Sequence, residues 1–155
     1  MTFDDVIDVV LRNEGGYVWN PKDPGGETKY GISKWAYPGE DIAGMTVERA
    51  KELYRRDYWG PLQCDQLPAM VRLSVMDAGV NSGVKRAAQW LQRAVGVADD
   101  GIIGAKTIAA ARATDPATIV VRLNGARLRF LTDSHNWLTF GQGWTRRVAA
   151  ILQGI

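Results

Sequence analysis

Arg12-Asn13-Glu14-Gly15-Gly16-Tyr17 is the stretch at which the first helix of the chain ends and a turn begins. The segment before it, residues 2–13, carries apolar residues at the spacing of one face of an α-helix, namely Phe3, Ile7 and Val10. The same spacing places Glu14 where the apolar stripe calls for another aliphatic residue. Gly15-Gly16 ends the helix, because glycine adopts the left-handed conformation of a helix C-terminus without steric cost.

A carboxyl group in the position of Glu14 is subject to two effects. Partial burial against aliphatic side chains disfavours its charged form, and so does the negative end of the helix dipole. A carboxyl group kept neutral in this way suits proton donation near neutral pH. The alternative is an exposed glutamate at a helix end, with no chemical role.

The polar run after Tyr17 is dense in turn signals, with Asn20-Pro21, Asp23-Pro24 and Gly25-Gly26. It predicts a tight excursion with a short β-hairpin, whose return arm is residues 28–30. A hairpin after a helix end folds the chain back, so Asp23 and Thr28 are expected to face Glu14 across a cleft. An acid, a second carboxylate and a hydroxyl suit cleavage of a glycosidic bond.

The rest of the chain predicts a mainly α protein with seven or so helices. Thr46 is an N-cap for a helix that reaches Tyr58, and residues 69–80 are apolar almost all round, as in a central buried helix. Asp77 and Asn81 lie one turn apart on it. Further helices are predicted over residues 33–37, 84–95, 107–113, 116–132 and 144–152, with a compact turn over residues 99–104.

Composition excludes several classes of protein. The 155 residues suffice for one well-filled core and are few for two domains. The single cysteine, Cys64, excludes an internal disulfide, and with the single histidine, His135, it argues against a zinc site or a thiol hydrolase. No apolar run approaches the ~20 residues that span a bilayer, and the acidic N-terminus differs from a secretory signal.

Charge is distributed unevenly within the net value of +2. Residues 1–78 carry a net charge of −4, and residues 79–155 carry +6. A basic half favours an anionic partner such as nucleic acid, a membrane surface or an acidic cell-wall polymer. The alternative is a set of solvated arginines on helices.

Several motifs together resemble glycoside hydrolase family 108, a family of phage and bacterial N-acetylmuramidases. They are Glu-Gly-Gly-Tyr (14–17), Asp-Pro-Gly-Gly-Glu-Thr-Lys-Tyr-Gly-Ile-Ser (23–33), Tyr-Trp (58–59), Asp77 with Val-Asn-Ser-Gly (80–83), and Gly-Trp-Thr-Arg-Arg (143–147). The second half resembles the peptidoglycan-binding segment that completes such proteins, with Leu91-Gln92, Gly96, Asp-Gly-Ile-Ile-Gly (100–104) and Thr107. The resemblance covers essentially the whole chain.

This resemblance implies a compact, lysozyme-like helical domain over residues 1–155. Residues 1–83 would form a catalytic lobe, and residues 84–155 a peptidoglycan-binding-like helical lobe packed on it. Glu14 is the implied catalytic acid, and the order Glu14, Asp23, Thr28 is similar to the catalytic triad of phage-type lysozymes. Four residues separate Asp23 from Thr28 here, where those lysozymes usually have five. No metal or organic cofactor is implied.

Three further residues are candidates for binding substrate. Tyr17 and Tyr30 either line a sugar subsite or pack the hairpin, and Asn81 either hydrogen-bonds an acetamido group or caps the central helix. Tryptophans are more often core residues than sugar platforms, and this applies to Trp35, Trp59, Trp90, Trp137 and Trp144.

The resulting hypothesis is an endolysin that cleaves the β-1,4 bond between N-acetylmuramic acid and N-acetylglucosamine. Its partner would be the glycan strands of peptidoglycan, with no nucleic acid, no stable membrane anchoring and a monomeric state. It would stay in the host cytoplasm until a separate pore-former releases it across the inner membrane to the cell wall. The alternatives are a lytic transglycosylase, a non-catalytic wall-binding or structural module and, more distantly, a nucleic-acid-binding protein.

Overall fold

The computed structural model describes residues 1–19 and 26–154 and confirms a mainly α fold. Within these residues there are seven α-helices and one small antiparallel sheet. The helices are α1 (Phe3–Glu14), α2 (Val47–Tyr54), α3 (Ala69–Ser82), α4 (Val84–Val95), α5 (Ala105–Ala113), α6 (Pro116–Thr132) and α7 (Trp137–Gln153). The strands are β1 (Val18–Trp19), β2 (Glu27–Lys29) and β3 (Ile32–Ser33). A π-helical turn (Arg55–Trp59) extends α2, and a 3-10 turn (Cys64–Gln66) precedes α3.

Helix α1 begins and ends at residues that favour a helix boundary. Thr2 and Asp5 form a reciprocal capping box, with the Thr2 hydroxyl accepting from the Asp5 amide and the Asp5 carboxylate accepting from the Thr2 amide. Glu14 is the last helical residue, and Gly15 follows with φ +80°. The predicted helix end is therefore confirmed, and it places the Glu14 side chain beside the sheet.

The sheet has the order β1-β2-β3, with Thr28 paired to Val18 on one side and Ser33 on the other. Tyr30 (φ +53°) and Gly31 (φ +76°) form the tight turn between β2 and β3. The predicted hairpin region is thus present. The predicted turns at Asn20-Pro21 and Asp23-Pro24 lie outside the described residues.

Helix α3 is the central element, as its apolar sequence predicts. Eight of its residues are buried, and it contacts α1, α4, α6 and α7. Because α1 precedes it and the other three follow it, α3 joins the two halves of the chain. The organisation of residues 1–155 as one domain of two lobes stays a prediction.

Two predicted helices differ from the structure. Residues 33–37 form no helix, because Ser33 pairs with Thr28 in the sheet and is followed by turns. The last helix begins at Trp137, well before the predicted start at Trp144. In its first turn, the ring of Trp137 occupies the space that a side chain at Gly141 would need.

The predicted compact turn over residues 99–104 is present, and Gln92 holds it to α4. Its side-chain Nε2 donates to Asp100 Oδ1 (2.7 Å) and to the Ile102 carbonyl (3.0 Å), and its Oε1 accepts from the Gly101 amide (2.9 Å). One buried side chain therefore fixes the middle of the turn, residues 100–102.

Candidate active site

Glu14 lies at the end of α1 with its side chain 18% exposed. Its Oε1 is buried and lies 2.6 Å from Nη1 of Arg147, which α7 supplies. The predicted partial burial at a helix C-terminus is therefore observed. The arginine is an addition that sequence reasoning did not predict.

Asp77 holds Arg147 in place from the opposite side. Arg147 Nε donates to both oxygens of Asp77, at 2.9 and 3.1 Å, and Nη2 lies 2.8 Å from Oδ1. A guanidinium that bridges two carboxylates presents one edge to each. Arg147 is thus positioned by a buried residue of α3. Its guanidinium pairs with two carboxylates, Asp77 and Glu14.

Arg127 of α6 completes the network. Arg127 and Asp77 are both 0% exposed, and Arg127 Nη2 lies 2.8 Å from Asp77 Oδ2. The same nitrogen donates to Asn81 Oδ1 at 3.1 Å. Four charged side chains from four helices, Glu14, Asp77, Arg127 and Arg147, therefore form one connected cluster.

Burial and pairing act in opposite directions on the two arginines. Burial alone would lower the pKa of Arg147, but the hydrogen bonds and charge of Asp77, together with Glu14, outweigh it and raise that pKa. For Arg127 burial prevails, and its pKa is lowered despite the charge of Asp77. Arginine remains charged in either case, so Arg147 is a fixed positive charge beside Glu14.

Gly31 and Tyr54 form the wall of the site on the other side of Glu14. A Cβ atom at Gly31 would lie 2.6 Å from Tyr54 Oη and 2.7 Å from Glu14 Oε2. Tyr54 is buried, and its hydroxyl donates to the Tyr30 carbonyl at 2.8 Å. Burial, followed by the charge of Glu14, raises the pKa of Tyr54, so its hydroxyl stays protonated.

Replacing Gly31 with alanine should displace the Glu14 carboxylate. Tyr54 is held by its hydrogen bond to Tyr30, so Glu14 must give way to the new methyl group. We expect a reaction that uses Glu14 to slow roughly tenfold to a hundredfold, because small displacements of a reacting group have effects of that order. The measurement is the initial rate of cleavage.

Gly96→Ala is the matched control for this variant. Gly96 also has a positive φ (+75°), but nothing lies within 4 Å of a Cβ placed there. Both variants should lose about 1 kcal/mol of stability from the left-handed backbone. An equal loss of activity in both would contradict the contact between Gly31 and Glu14.

The structure places the other predicted site residues as follows. Tyr17 is about half exposed, and its hydroxyl donates to Glu27 Oε1 at 3.2 Å. Thr28 lies in the middle strand of the sheet, and Asp23 lies outside the described residues. Asn81 accepts hydrogen bonds from Arg127 and Ser82, so it belongs to the polar network rather than to a simple helix cap.

The tryptophans divide between core and surface. Trp59 and Trp90 are buried, which confirms the expectation for them, and Trp59 packs edge-to-face on Phe3 with ring centroids 5.2 Å apart. Trp137 and Trp144 are partly buried. The expectation is wrong for Trp35, which is 79% exposed in the turn after β3.

Sequence reasoning missed Arg147 and Tyr54 as partners of Glu14. A signal for the first existed, because a carboxylate such as Asp77 on an apolar helix needs a buried partner and the second half of the chain supplies arginines. Nothing local in the sequence identifies which arginine it is. The contact of Tyr54 with the turn at Gly31 depends on tertiary packing alone.

Two open hollows flank the end of α1. Gly15, Gly16 and Tyr30 contribute to one of them. Asn13, Asn81 and Trp144 contribute to the other. The residues before and after Glu14 thus line open surface, whereas Glu14 itself lines neither hollow.

The described part of the chain holds neither a metal-ligand cluster nor a membrane-spanning helix. Over residues 1–19 and 26–154, His, Cys, Asp and Glu side chains form no group of three that could hold a metal ion. No helix in this part of the chain is both long and apolar enough to cross a membrane.

A partly buried carboxyl group at a helix end beside open surface is the kind of group that general acid catalysis uses. Comparison with known families defines the class of protein. Residues 7–83 match the family described as Glycosyl hydrolase 108, and residues 86–149 match the family described as Predicted Peptidoglycan domain.

One solved relative matches almost the full chain. The protein in "Structure of Brucella abortus SagA" is 39% identical, and the match covers 98% of this chain and 92% of that one with a TM-score of 0.87. A comparison with curated protein sequences finds no match. The chain belongs to glycosyl hydrolase family 108 and carries a peptidoglycan-binding domain after its hydrolase segment.

Proposed function

We propose that the protein hydrolyses the β-1,4 bond between N-acetylmuramic acid and N-acetylglucosamine in peptidoglycan, with Glu14 as the general acid. The observation that carries the proposal is the partly buried carboxyl group of Glu14 at the end of α1, with open hollows lined by the residues before and after it. Its Oε1 lies 2.6 Å from Arg147 Nη1, and its Oε2 faces the turn at Gly31. The peptidoglycan domain after the hydrolase segment supports the choice of substrate.

In this mechanism Glu14 protonates the glycosidic oxygen as the bond to the departing sugar breaks. Arg147 orients Glu14, and Asp77 holds Arg147 through the same guanidinium. A bound glycan would exclude water from the site during the proton transfer.

Asp23 and Thr28 are proposed to assist the attacking water or to stabilise the oxocarbenium-like transition state. Asp23→Asn keeps the shape of the side chain and removes its charge, so we expect kcat to fall roughly a hundredfold. Thr28→Val removes only a hydroxyl, so a fall of roughly tenfold is expected. The steady-state rate on purified sacculi measures both, and unchanged kcat in both variants would exclude these roles.

Tyr17, Tyr30 and Asn81 are proposed to bind the sugars. Tyr17 has a half-exposed ring three residues after Glu14, which suits stacking on the apolar face of a sugar. Arg127 and Ser82 bond Oδ1 of Asn81, so its Nδ2 is the group that would donate to an acetamido carbonyl.

The products of digestion test the bond and the reaction together. Mass spectrometry of fragments from purified sacculi should show reducing N-acetylmuramic acid ends, with one oxygen from solvent when the digestion is run in heavy-oxygen water. Reducing N-acetylglucosamine ends would show a glucosaminidase. Anhydro-muramic acid ends without solvent oxygen would show a lytic transglycosylase.

The proposed biological role is that of an endolysin, monomeric and without stable membrane anchoring, that a separate pore-former releases to the wall. Turbidity loss of cells stripped of their outer membrane tests the lytic activity. A protein that binds sacculi without clearing such cells or releasing fragments would instead be a non-catalytic wall-binding module.

A further inference from the structure

An open groove of about 670 Å³ lies between α4 and α6, in the segment that matches the peptidoglycan domain. This volume is in the range of sites that hold small ligands. Four arginines and one carboxylate, Asp133, are among its lining residues. The arginines are Arg86, Arg93, Arg122 and Arg129. Such a concentration of one charge in a concave surface attracts anions.

Three of these arginines are held in place by contacts with the protein. Arg86 Nη1 donates to the Ser82 carbonyl at 3.2 Å, and its guanidinium lies 4.2 Å from the centre of the Phe130 ring. Arg122 Nη1 donates to the Ala94 carbonyl at 3.0 Å, and Arg93 pairs with Asp99. Each of these contacts uses only part of the five-donor guanidinium, so donors remain for a ligand.

The groove also has an apolar component. The rings of Trp90 and Phe130 pack with centroids 5.7 Å apart, and Trp90 is buried while Phe130 is partly exposed. Gly125 and Ala126 add small residues to the lining. A ligand that combines carboxylates with small apolar groups would match both parts of this surface.

The groove lies close to the network that positions Glu14. Ser82, whose carbonyl bonds Arg86, follows Asn81 of that network in the chain. On α6, Phe130 lies about one helical turn after Arg127. The groove and the network therefore involve neighbouring residues of α3 and residues one turn apart on α6.

We infer that this groove binds the carboxylates of the stem peptides of peptidoglycan while the glycan strand lies at Glu14. This inference rests on the proposed function, because a peptide-bearing glycan must be the substrate. Stem peptides carry free carboxylates and alanine methyl groups, which suit the arginines and the aromatic rings respectively. The groove would make cleavage depend on the peptides as well as on the sugars.

The test compares two substrates and two double variants. Arg86→Gln/Arg129→Gln removes two charges from the groove, and Lys106→Gln/Arg112→Gln removes two charges from α5, outside it. The substrates are intact sacculi and glycan strands whose peptides an amidase has removed. Equal melting temperatures of the two double variants control for folding. If the groove double variant unfolds, the single variant Arg129→Gln takes its place.

The groove variant should lose roughly tenfold in kcat/KM on intact sacculi, as expected for two solvent-facing ion pairs. On peptide-free strands it should stay within about twofold of wild type, and the α5 variant should match wild type on both substrates. An equal loss on both substrates, or no loss on either, would overturn the inference.

Direct binding separates failure of this inference from failure of the proposed function. Tryptophan fluorescence titration with the free stem tetrapeptide should give a dissociation constant roughly tenfold weaker in the groove variant, even if wild type cleaves neither substrate. Absence of tetrapeptide binding, or equal affinities in both variants, would overturn the inference. Tighter binding of polyphosphate or duplex DNA through the same arginines would assign the groove to a phosphate polymer instead.

Discussion

Glu14→Gln should lower the rate of peptidoglycan cleavage by a factor of about 10³ or more. Glutamine keeps the length and shape of the side chain, and its carbonyl oxygen can still face Arg147, but it has no acidic proton to donate. General acid catalysis contributes roughly 10²–10⁴ in rate. Asp77 also contacts Arg147, but among the described residues only the carboxyl group of Glu14 lies beside both Arg147 and the turn at Gly31. The rate of fragment release from sacculi is the measurement.

Glu48→Gln provides the matched control for that substitution. Glu48 is exposed on α2, so the same chemical change there should leave the rate unaltered. Glu14→Gln should also remain folded, because Asp77 keeps Arg147 paired when the charge of Glu14 is lost. A folded Glu14→Gln protein with more than a tenth of the wild-type rate would exclude Glu14 as the acid.

Helix boundaries could be predicted from the sequence where a capping residue lies next to the helix end. Thr46 accepts from the Arg49 amide and Asp115 from the Thr118 amide, as their positions before α2 and α6 predict. The apolar character of α3 predicts its central place. In α7 the predicted start at Trp144 was wrong, since the helix begins at Trp137, whose ring packs where a side chain at Gly141 would lie.

The candidate site was predictable only in part. Glu14 follows from helix periodicity and from the Glu-Gly-Gly-Tyr motif, both of which are local. Its pairing with Arg147 joins the two ends of the chain, and periodicity carries no information on such contacts. The prediction that Asp23 faces Glu14 stays a prediction, because Asp23 lies outside the described residues.

Asp77→Asn should destabilise the protein by about 3–5 kcal/mol, because it leaves the buried Arg127 and the partly buried Arg147 without their common carboxylate. For a chain of this length, such a loss lowers the melting temperature by about 10 °C. Asp65→Asn is the control, since Asp65 is exposed in the 3-10 turn before α3. Thermal unfolding followed by circular dichroism measures both variants.

A double-mutant cycle with Arg127→Met separates the ion pair from general packing. Arg127 Nε and Nη1 have no hydrogen-bond partner among the described residues, so the methionine removes two unsatisfied donors together with the charge. If Asp77 and Arg127 act as a pair, the double variant should be more stable than the sum of the single losses predicts. Strict additivity would mean that Asp77 stabilises the fold mainly through Arg147. In either case the carboxylate on α3 would be the group that holds α7 against the end of α1, where Glu14 lies.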